Sequence, residues 1–527
     1  MRRYDYVVIG GGSAGCAAAG LLAEDRAVRV LLLECGPAAE ENPETLRADG
    51  YKDAFRNDRL FLERFSEPQR SCRKRRLFLG TGHGIGGSGA INAMVYTRGA
   101  KEDYAEWPEG WRWNEVTPDF DALEARLRVH RREPTRFTEA CLDAAEAAGF
   151  RRKEDLNDGQ LGGFIGYEWM NYDGNERRHS YAAFLRDSPA DVTTGAQVHR
   201  IVFDEARRAV AVEYEDTDGC HRVGVDCEVI LSAGALESPK LLMLSGVGPK
   251  QGLRTHGIPV VAAVPRVGRN LHDHPNVCLF FKGREEVDCY HPQVYGFHRV
   301  GAAGGLADGQ SDTCYVFYPA RSSFPEATAR MLPTLVLPQW AYRRRGAVNA
   351  VRRLTDAAFR RSSIKRFVSR LYGIVVILGK PLSRGTLWLR SASAKDPACI
   401  DPRYFDAPED LQTMIEGVRF ARQISGAPSL EKWGNRAWRP GRRVRSDQSI
   451  ARWVKKNVMT TYHFAGTCSM GDQSSDVVDP RLRVRGVQGV RVADASVVPV
   501  TPVSAMNAPS MLIGYRVARF LGEERSR

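Results

Sequence analysis

The chain has 527 residues, of which 43% are apolar and 26% charged, the balance of a globular protein with about two to four domains. No apolar run approaches the ~18 residues that a membrane helix needs, and the N-terminal residues leave no room for a signal peptide, so a cytoplasmic protein is expected. The eleven cysteines are scattered without a CxxC pair, which argues against a zinc site or a disulfide framework and favours free thiols.

The predicted elements begin with a strand over 6–9, a Gly-rich turn over 10–15, a helix over 16–24 and a strand over 28–34. The second strand is a continuous apolar run, typical of a parallel sheet that is buried on both faces. A helix over 139–148, with Thr138 as its N-cap, is followed by a strand pair over 193–215, a strand over 228–233 and a helix over 236–244. Region 278–455 differs, with short strands at 315–317 and 372–378 and helices at 341–371 and 409–425. A strand over 490–493 and a helix over 508–521 end the chain.

This order predicts an α/β fold with two domains, each assembled from separated segments. A nucleotide-binding domain is expected from 1–165, 195–277 and 456–527. A second domain, inserted into the first, is expected from 166–194 and 278–455.

The first motif is Gly10-x-Gly12-x-x-Gly15, which lies between the first strand and the first helix. Its glycines permit a tight turn and a close approach of the backbone to a pyrophosphate at the positive end of a helix. Glu34 ends the next strand, where a carboxylate would accept hydrogen bonds from a ribose diol. The alternative is a Gly-rich turn without a ligand, and the motif alone does not separate FAD from NAD.

Four further motifs follow in chain order. Segment 82–99 is rich in small residues, which let a backbone press against a flat ligand. Segment 234–248 follows a buried strand, and segment 462–471 contains His463. The last motif spans 492–496 and continues to 506–509 before a helix.

These five motifs in this order resemble the glucose–methanol–choline oxidoreductase family over nearly the whole chain, and segment 267–275 resembles a further hallmark of that family. The resemblance implies a Rossmann-like FAD-binding domain and a substrate domain with an antiparallel β-sheet flanked by helices. It also implies oxidation of a primary or secondary alcohol by hydride transfer to flavin N5. The final acceptor, oxygen or another compound, and the identity of the substrate stay open.

The resemblance also assigns roles to individual residues. Gly10, Gly12, Ser13 and Ala14 would hold the pyrophosphate of FAD, Glu34 the adenosine ribose, and the Val198 backbone the adenine. Asn92, Ala93, Met94 and Val95 would lie along the isoalloxazine, Asp494 and Ala495 near the ribityl–phosphate part, and Asn507 and Ala508 at the flavin pyrimidine ring. Gly87 and Ala233 complete the expected FAD contacts.

His463 matches the catalytic histidine of the family, and an imidazole can accept the hydroxyl proton of an alcohol because its ordinary pKa lies near neutrality. The family's second catalytic His or Asn falls on Ala505. Either His463 works alone, another residue supplies the contact, or the chemistry differs. The position of the histidine that binds flavin covalently in some members is Ile91, so non-covalent FAD is expected. The other histidines, including His272 and His274, are interpreted as structural, and no metal site is expected.

A flavin-dependent lyase or photoenzyme on the same fold, similar to a fatty-acid photodecarboxylase, is the alternative function. His463 argues against it, because decarboxylation needs no proton-abstracting base.

The net charge of +13 is concentrated in segment 341–371, which contains ten basic residues and one acid, Asp356. The first interpretation is a solvated basic helix on the substrate domain. The second is docking to an anionic surface, which would be a membrane face, an acidic carrier protein or an acidic substrate, and would make the protein membrane-peripheral. No binding of nucleic acid is expected, because nothing besides charge supports it.

Overall fold

A computed structural model describes residues 1–301, 304–342 and 344–526. Arg343, one of the ten basic residues of segment 341–371, lies outside the described residues. The helices are α1 (Ser13–Leu22), α2 (Tyr51–Arg56), α3 (Gly87–Ile91), α4 (Lys101–Tyr104), α5 (Trp113–Leu127), α6 (Arg136–Ala147), α7 (Ser238–Leu244), α8 (Lys250–Thr255), α9 (Phe324–Val336), α10 (Gln339–Tyr342), α11 (Arg345–Arg360), α12 (Ser362–Ser369), α13 (Pro408–Ser425), α14 (Asp447–Asn457) and α15 (Asn507–Arg525). The strands are β1 (Arg3–Ile9), β2 (Val30–Leu33), β3 (Phe61–Leu62), β4 (Thr81–Gly82), β5 (Val95–Tyr96), β6 (Val129–His130), β7 (Arg151–Lys153), β8 (Phe164–Tyr167), β9 (Trp169–Asp173), β10 (Glu176–Arg177), β11 (Asp191–Thr193), β12 (Gln197–Phe203), β13 (Ala209–Asp216), β14 (Gly219–Leu231), β15 (Val247–Gly248), β16 (Ala262–Ala263), β17 (Pro275–Lys282), β18 (Val294–His298), β19 (Thr313–Pro319), β20 (Leu371–Leu378), β21 (Thr386–Trp388), β22 (Cys399–Asp401), β23 (Ala437–Arg439), β24 (Met459–Thr460) and β25 (Val490–Val492).

The first large sheet has the order β11-β2-β1-β14-β13-β12, with β25 beside β14. Strands β11, β2, β1, β14 and β25 run parallel, and Val8 pairs with Leu32 on one side and Ile230 on the other. The apolar side chains of β2, β25, the second half of β1 and the end of β14 are buried, as a parallel sheet covered on both faces requires, whereas Val192 on the edge strand β11 is exposed. Helices α1 and α15 pack closely, because a Cβ at Gly514 would lie 2.1 Å from the carbonyl oxygen of Ala14. These elements form a Rossmann-like unit.

The second large sheet has the order β23-β17-β20-β19-β18-β8-β7, with β24 beside β17. All of its pairs are antiparallel except β7 with β8. Helix α13 packs on β20 and β19. The mixed α/β fold with an antiparallel substrate-side sheet flanked by helices is therefore confirmed.

Strand pairing crosses the predicted domain division at several places. Strand β7 and the first half of β8 lie in the second sheet, although the division puts 1–165 in the nucleotide-binding domain. Strand β24 and the start of β17 also lie in the second sheet, although 456–527 and 195–277 were expected in the nucleotide-binding domain. Strand β11 pairs with β2 in the first sheet, although 166–194 was expected in the inserted domain. These differences arise from pairing between strands that are far apart in sequence, which a local pattern does not contain.

Several predicted helices also differ from the structure. Helix α1 begins at Ser13, three residues before the predicted start at 16. Segment 341–371 forms α11 and α12 rather than one helix, because the backbone of Arg361 is extended between them (φ −68°, ψ 133°). Helix α6 begins three residues earlier than expected. Its N-cap is Thr135, whose hydroxyl oxygen accepts a hydrogen bond from the Thr138 N–H, so Thr138 is not the cap.

Within the described ranges, no helix combines the length and the apolar character that crossing a bilayer requires.

Candidate active site

A cavity of about 690 Å³ lies where the two large sheets meet. Most of the residues predicted to contact a cofactor line it, together with the predicted base: Gly10, Gly12, Ser13, Ala14, Glu34, Gly87, Asn92, Ala93, Val95, Val198, Ala233, Asp494, Ala495, Asn507 and His463. Met94 and Ala508 do not line the cavity. The sequence motifs, scattered over nearly 500 residues, are thus assembled into one site.

The Gly-rich turn between β1 and α1 forms one wall of this cavity. Gly10 has a φ of +103°, and a Cβ there would lie 2.5 Å from the carbonyl oxygen of Ser232, so only glycine fits. A Cβ at Gly87 would lie 2.8 Å from the Gly12 Cα, which shows that the start of α3 presses against the turn. This close packing leaves a backbone-lined groove at the N-terminus of α1, a favourable place for a pyrophosphate.

The Glu34 carboxylate lies at the end of β2 and is almost fully buried. Its Oε2 accepts a hydrogen bond from the Gly11 N–H (2.7 Å), and its Oε1 accepts from the N–H groups of Gly36 (2.8 Å) and Gly84 (3.2 Å). Glu34 therefore joins the first and second motifs through the backbone. The Cys35 thiol also donates to Oε1 (3.4 Å), whereas Oε2 accepts only from Gly11, so Oε2 retains a lone pair for a ribose hydroxyl.

The Asp494 carboxylate joins the third and fifth motifs in the same way. Its Oδ2 accepts from the Gly234 N–H (2.9 Å) and the Ser238 hydroxyl (2.5 Å), and its Oδ1 accepts from the Ser496 N–H (2.7 Å). Burial raises the pKa of this carboxyl above its ordinary value. These hydrogen bonds fix the loop that follows β25 and forms part of the cavity wall.

Asn507 begins α15, whose N-terminus points into the cavity. Its Oδ1 accepts a hydrogen bond from the Ser13 hydroxyl (2.8 Å). Its buried Nδ2 has no hydrogen-bond partner among the described residues, and neither has the buried hydroxyl of Ser504 nearby in the lining. Because buried polar atoms are usually paired, these two groups fit a bound ligand with polar atoms, such as the flavin of FAD.

Segment 92–95 is held by a residue that sequence reasoning missed. The Arg177 guanidinium donates to the Asn92 Oδ1 (2.9 Å), the Asn92 carbonyl (2.7 Å) and the Gly89 carbonyl (2.9 Å). Arg177 is fully buried, and burial lowers its pKa to about 9. The Met94 side chain packs away from the cavity against Ala48 and Met170, with φ +65° at Met94, so only its backbone can approach a flavin.

His463 lies in the cavity beside a second histidine. Strand β24 pairs with β17, with Thr460 opposite Pro275, and this pairing brings the residues that flank the two strands together. The Nδ1 atoms of His463 and His274 are 2.9 Å apart, with the two rings edge to face. Both side chains line the cavity. His274 was interpreted as structural, and sequence reasoning therefore missed its contact with the predicted base.

Burial keeps both imidazoles neutral. It lowers the pKa of His463 to about 4 and that of His274 well below its ordinary value, the latter helped by its neighbour His463. At neutral pH each ring has one N–H and one lone pair, so one Nδ1 donates to the other. His463 Nε2 makes no hydrogen bond to the described residues and is free to meet a substrate.

Asp273, next to His274, fixes the backbone of His463. Its Oδ1 accepts from the His463 N–H (2.8 Å), and its Oδ2 accepts from the Thr460 hydroxyl (2.5 Å) and the Tyr404 hydroxyl. The intervening Tyr462 has a φ of +63°, an uncommon conformation for a bulky residue. These hydrogen bonds hold a strained turn and so set the position of the imidazole.

The remaining positions of interest lie in the same cavity. Ala505, Ile91 and Thr461 all line it. The Thr461 hydroxyl donates to the His274 carbonyl (2.6 Å) and accepts from the Asn276 side-chain amide (3.0 Å), so it is already engaged. The methyl side chain of Ala505 cannot form a hydrogen bond.

The substrate end of the cavity is mostly apolar, with Tyr51, Phe55, Phe61, Tyr295 and Ile377 in its walls. The Glu63 carboxylate beside these walls is paired with Arg330 (3.0 Å). The paired Arg64 and Glu237 (2.8 Å) also line the cavity but lie on the side of Cys35 and Glu34.

Comparison with known proteins agrees with this arrangement. Models of the GMC oxidoreductase family match residues 4–276 and 381–514. An alcohol dehydrogenase [acceptor] of Pseudomonas putida is 32% identical, with 98% of this chain and 95% of that protein covered. A choline oxidase of Arthrobacter globiformis is 30% identical, with 100% and 95% covered. The crystal structure of a pyridoxine 4-oxidase from Mesorbium loti superimposes with a TM-score of 0.84 at 26% identity, covering 99% of each chain.

The ordered motifs, the cavity that they line and these matches over the full chain agree with one another. The chain belongs to the GMC oxidoreductase family and is an FAD-dependent enzyme that acts on CH–OH donors.

Proposed function

We propose that this protein oxidises a primary or secondary alcohol to a carbonyl compound, with His463 as the general base. The observation that supports the proposal most strongly is a neutral His463 imidazole in the cavity with one ring nitrogen free. When bound, FAD supplies the acceptor for the hydride at its N5. The chain must then remove the hydroxyl proton, because an alcohol releases a hydride readily only as that proton leaves.

His274 determines which nitrogen of His463 can act as the base. If Nε2 of His463 is to accept the proton, Nδ1 must carry the other one and donate to the lone pair on His274 Nδ1. The same hydrogen bond persists when His463 becomes an imidazolium, so the ring does not need to turn. In this proposal His274 holds the tautomer and orientation of the base, while Asp273 holds its backbone.

The substrate is proposed to be an uncharged alcohol with an apolar body. The walls of the substrate end are aromatic and aliphatic, and the Glu63 carboxylate beside them is paired with Arg330. A charged substrate group would be desolvated there without a partner. Since Ala505 gives no hydrogen bond, the hydroxyl is proposed to be held by His463 and by the apolar fit of the rest of the molecule.

The FAD site is proposed to consist of the predicted residues that line the cavity, with Met94 and Ala508 contributing backbone only. Glu34 would hold the adenosine ribose, the Gly10–Gly15 turn the pyrophosphate, and Asn507 the flavin pyrimidine ring. Non-covalent binding is proposed because Ile91 has no nucleophilic atom. The division into an FAD-binding and a substrate-binding domain is retained as a proposal, with β7, β8, β24 and the start of β17 assigned to the second domain and β11 to the first.

The alternative function, a flavin-dependent lyase or photoenzyme, is not favoured. The relatives named above are oxidoreductases. A contact of segment 341–371 with an anionic surface, and with it a membrane-peripheral location, remains a proposal.

The test is a panel of alcohols with an artificial electron acceptor in the dark, followed by illumination with a fatty acid. Turnover of at least one apolar alcohol in the dark is expected, and the carbonyl product identifies the reaction. Loss of carbon dioxide from the fatty acid on illumination, with no dark turnover of any alcohol, would instead support the lyase.

A further inference from the structure

Helix α9 lies over the substrate end of the cavity, α11 packs on α9, and α10 and α12 adjoin α11. Ala327 on α9 lines the cavity directly. The buried Arg330, one turn further along, binds the carboxylates of Asp58 and Glu63 at 3.0 Å each, and Arg352 on α11 also pairs with Asp58 (2.5 Å). Phe61, between these two acids, lines the cavity as well. The four helices thus form one cap, held to the rim of the cavity by ion pairs.

The cap has an inner and an outer face that differ in charge. Arg330 and Arg352 point inward and are paired with acids. The outward basic side chains are exposed and have no carboxylate within 4.0 Å among the described residues: Arg344, Arg345, Arg353, Arg360, Arg361, Lys365 and Arg366. Asp356, the one acid of segment 341–371, forms an ion pair with Arg56 (2.6 Å). The outer face therefore has an uncompensated positive charge.

Apolar side chains are exposed on the same cap. Leu354 on α11 is 72% exposed and Trp340 on α10 is 66% exposed, and Leu335 and Val336 at the end of α9 are exposed as well. Helix α11 buries Val348 and Thr355, so Leu354 is not on its buried face. The Arg344 guanidinium lies over the Trp340 ring, 5.5 Å from its centroid. Exposed Trp and Leu among arginines are typical of helices that lie in a membrane interface.

We propose that this outer face of the cap docks on a bilayer of anionic lipids and brings the substrate end of the cavity to the membrane surface. An acidic protein partner is less suited, because the arginines alternate with apolar side chains that gain most from entering lipid. The enzyme would then take apolar alcohols that are dissolved in the bilayer. This last part rests on the proposed alcohol oxidation, whereas the docking does not.

Flotation of the FAD-loaded enzyme with phosphatidylglycerol/phosphatidylcholine vesicles, and with phosphatidylcholine alone, tests the docking. The wild type should float with the anionic vesicles only. The triple variant Arg353→Glu, Arg360→Glu, Arg366→Glu should lose at least about tenfold in bound fraction, because each reversal removes attraction and adds repulsion. The matched control, Arg26→Glu, Lys250→Glu, Arg254→Glu, changes the net charge equally at exposed sites outside the cap and should bind as the wild type does.

Equal flotation of the wild type with both kinds of vesicle, or an equal loss in both triple variants, would overturn the docking. A second variant, Trp340→Ser with Leu354→Ser, should lower binding without any change in charge. If it binds as the wild type does, the attraction is ionic alone and lipid insertion is refuted.

Turnover separates the two proposals. A water-soluble alcohol that the wild type oxidises should be oxidised by the Arg353/Arg360/Arg366 variant with unchanged kcat/KM, because these residues lie outside the cavity. A long-chain alcohol presented in anionic vesicles should be oxidised more slowly by that variant only. If the wild type oxidises none of the alcohols, the proposed function is refuted, while the conclusion from flotation is unaffected.

Discussion

The Nδ1 atoms of His274 and His463 lie 2.9 Å apart, so when both rings are neutral one Nδ1 donates a hydrogen bond and the other accepts it. Thr460 pairs with Pro275 across β24 and β17, and this strand pairing brings together two residues that are 189 positions apart in sequence. In this enzyme Ala505 occupies the position of the second polar residue that the family resemblance leads one to expect. His274 does not take over substrate contact from the residue that Ala505 replaces. Instead, it orients His463, the proposed base.

Replacing His274 tests this relationship. His274→Ala is expected to lower kcat by about 10- to 100-fold, the usual cost of removing a partner that orients a functional imidazole. His274→Asn should recover part of the loss, because its amide oxygen can accept from the His463 Nδ1–H. KM should change little in either variant.

Steady-state kinetics with FAD content normalised by the visible absorbance provides the measurement. If His274 is merely structural, the Ala and Asn variants should lose the same amount of activity, and their lower FAD content should account for that loss. This outcome would refute the positioning role of His274.

The pH dependence follows from the burial of His463. Burial lowers its pKa to about 4, from an ordinary value near 6.5, and the base works only when neutral. The kcat/KM for an alcohol should therefore stay constant as the pH falls from 7 to about 5, and decrease tenfold per pH unit below about 4. An acid limb centred near pH 6.5 would show that His463 is not the group that titrates.

The same shift affects stability. In the unfolded chain His463 and His274 titrate near 6.5, while the folded protein keeps them neutral to a lower pH. Between these values the unfolded state binds more protons, so the free energy of unfolding should fall as the pH decreases from about 6.5 towards 4. Urea unfolding across this range checks the sign. Replacing both histidines with Asn should reduce the slope, while the part that comes from the buried His179, His272 and His291 should persist.

FAD should be released intact when the protein is denatured. Ile91 stands at the position where some family members attach flavin through a histidine, and its side chain has no atom that could form that bond. Precipitation with acid should leave all the flavin in the supernatant, with the chromatographic retention of free FAD. A yellow, fluorescent band that stays with the chain on a denaturing gel would contradict non-covalent binding.

Glu34 should be required for FAD binding. Its carboxylate accepts three backbone N–H groups at the turn that would hold the pyrophosphate, and Glu34→Gln replaces an acceptor oxygen by a donor. Hydrogen bonds to charged groups contribute about 1.5–3 kcal/mol each, so the FAD content and the Tm should both fall. Glu24→Gln, at an exposed position, is the control. Full FAD content in Glu34→Gln would rule out this role.

The sequence predicts the local parts of this fold well. The turn at 10–15, Glu34 at the end of β2 and the strand–helix order at both ends of the chain are local patterns, and the structure contains them all. Most of the predicted cofactor residues line the cavity, because the segments that form its walls are the sequence motifs to which these residues belong.

The parts that the sequence did not predict depend on distant contacts. Arg177 holds Asn92 from 85 residues away, and no pattern around Arg177 distinguishes it from other arginines. His274 belongs to a recognisable segment, but its role depends on the register of β17 with β24. The inward face of α11 likewise depends on its packing on α9, which a local pattern does not contain.

The central claim is that His463 removes the hydroxyl proton of an alcohol whose hydride passes to the flavin. Anaerobic rapid mixing with a saturating alcohol, followed by the loss of the flavin's visible absorbance, measures this half-reaction without any second substrate. With equal FAD content, His463→Ala should reduce its flavin at least about 100-fold more slowly than the wild type. Flavin reduction at the wild-type rate in His463→Ala would contradict the account.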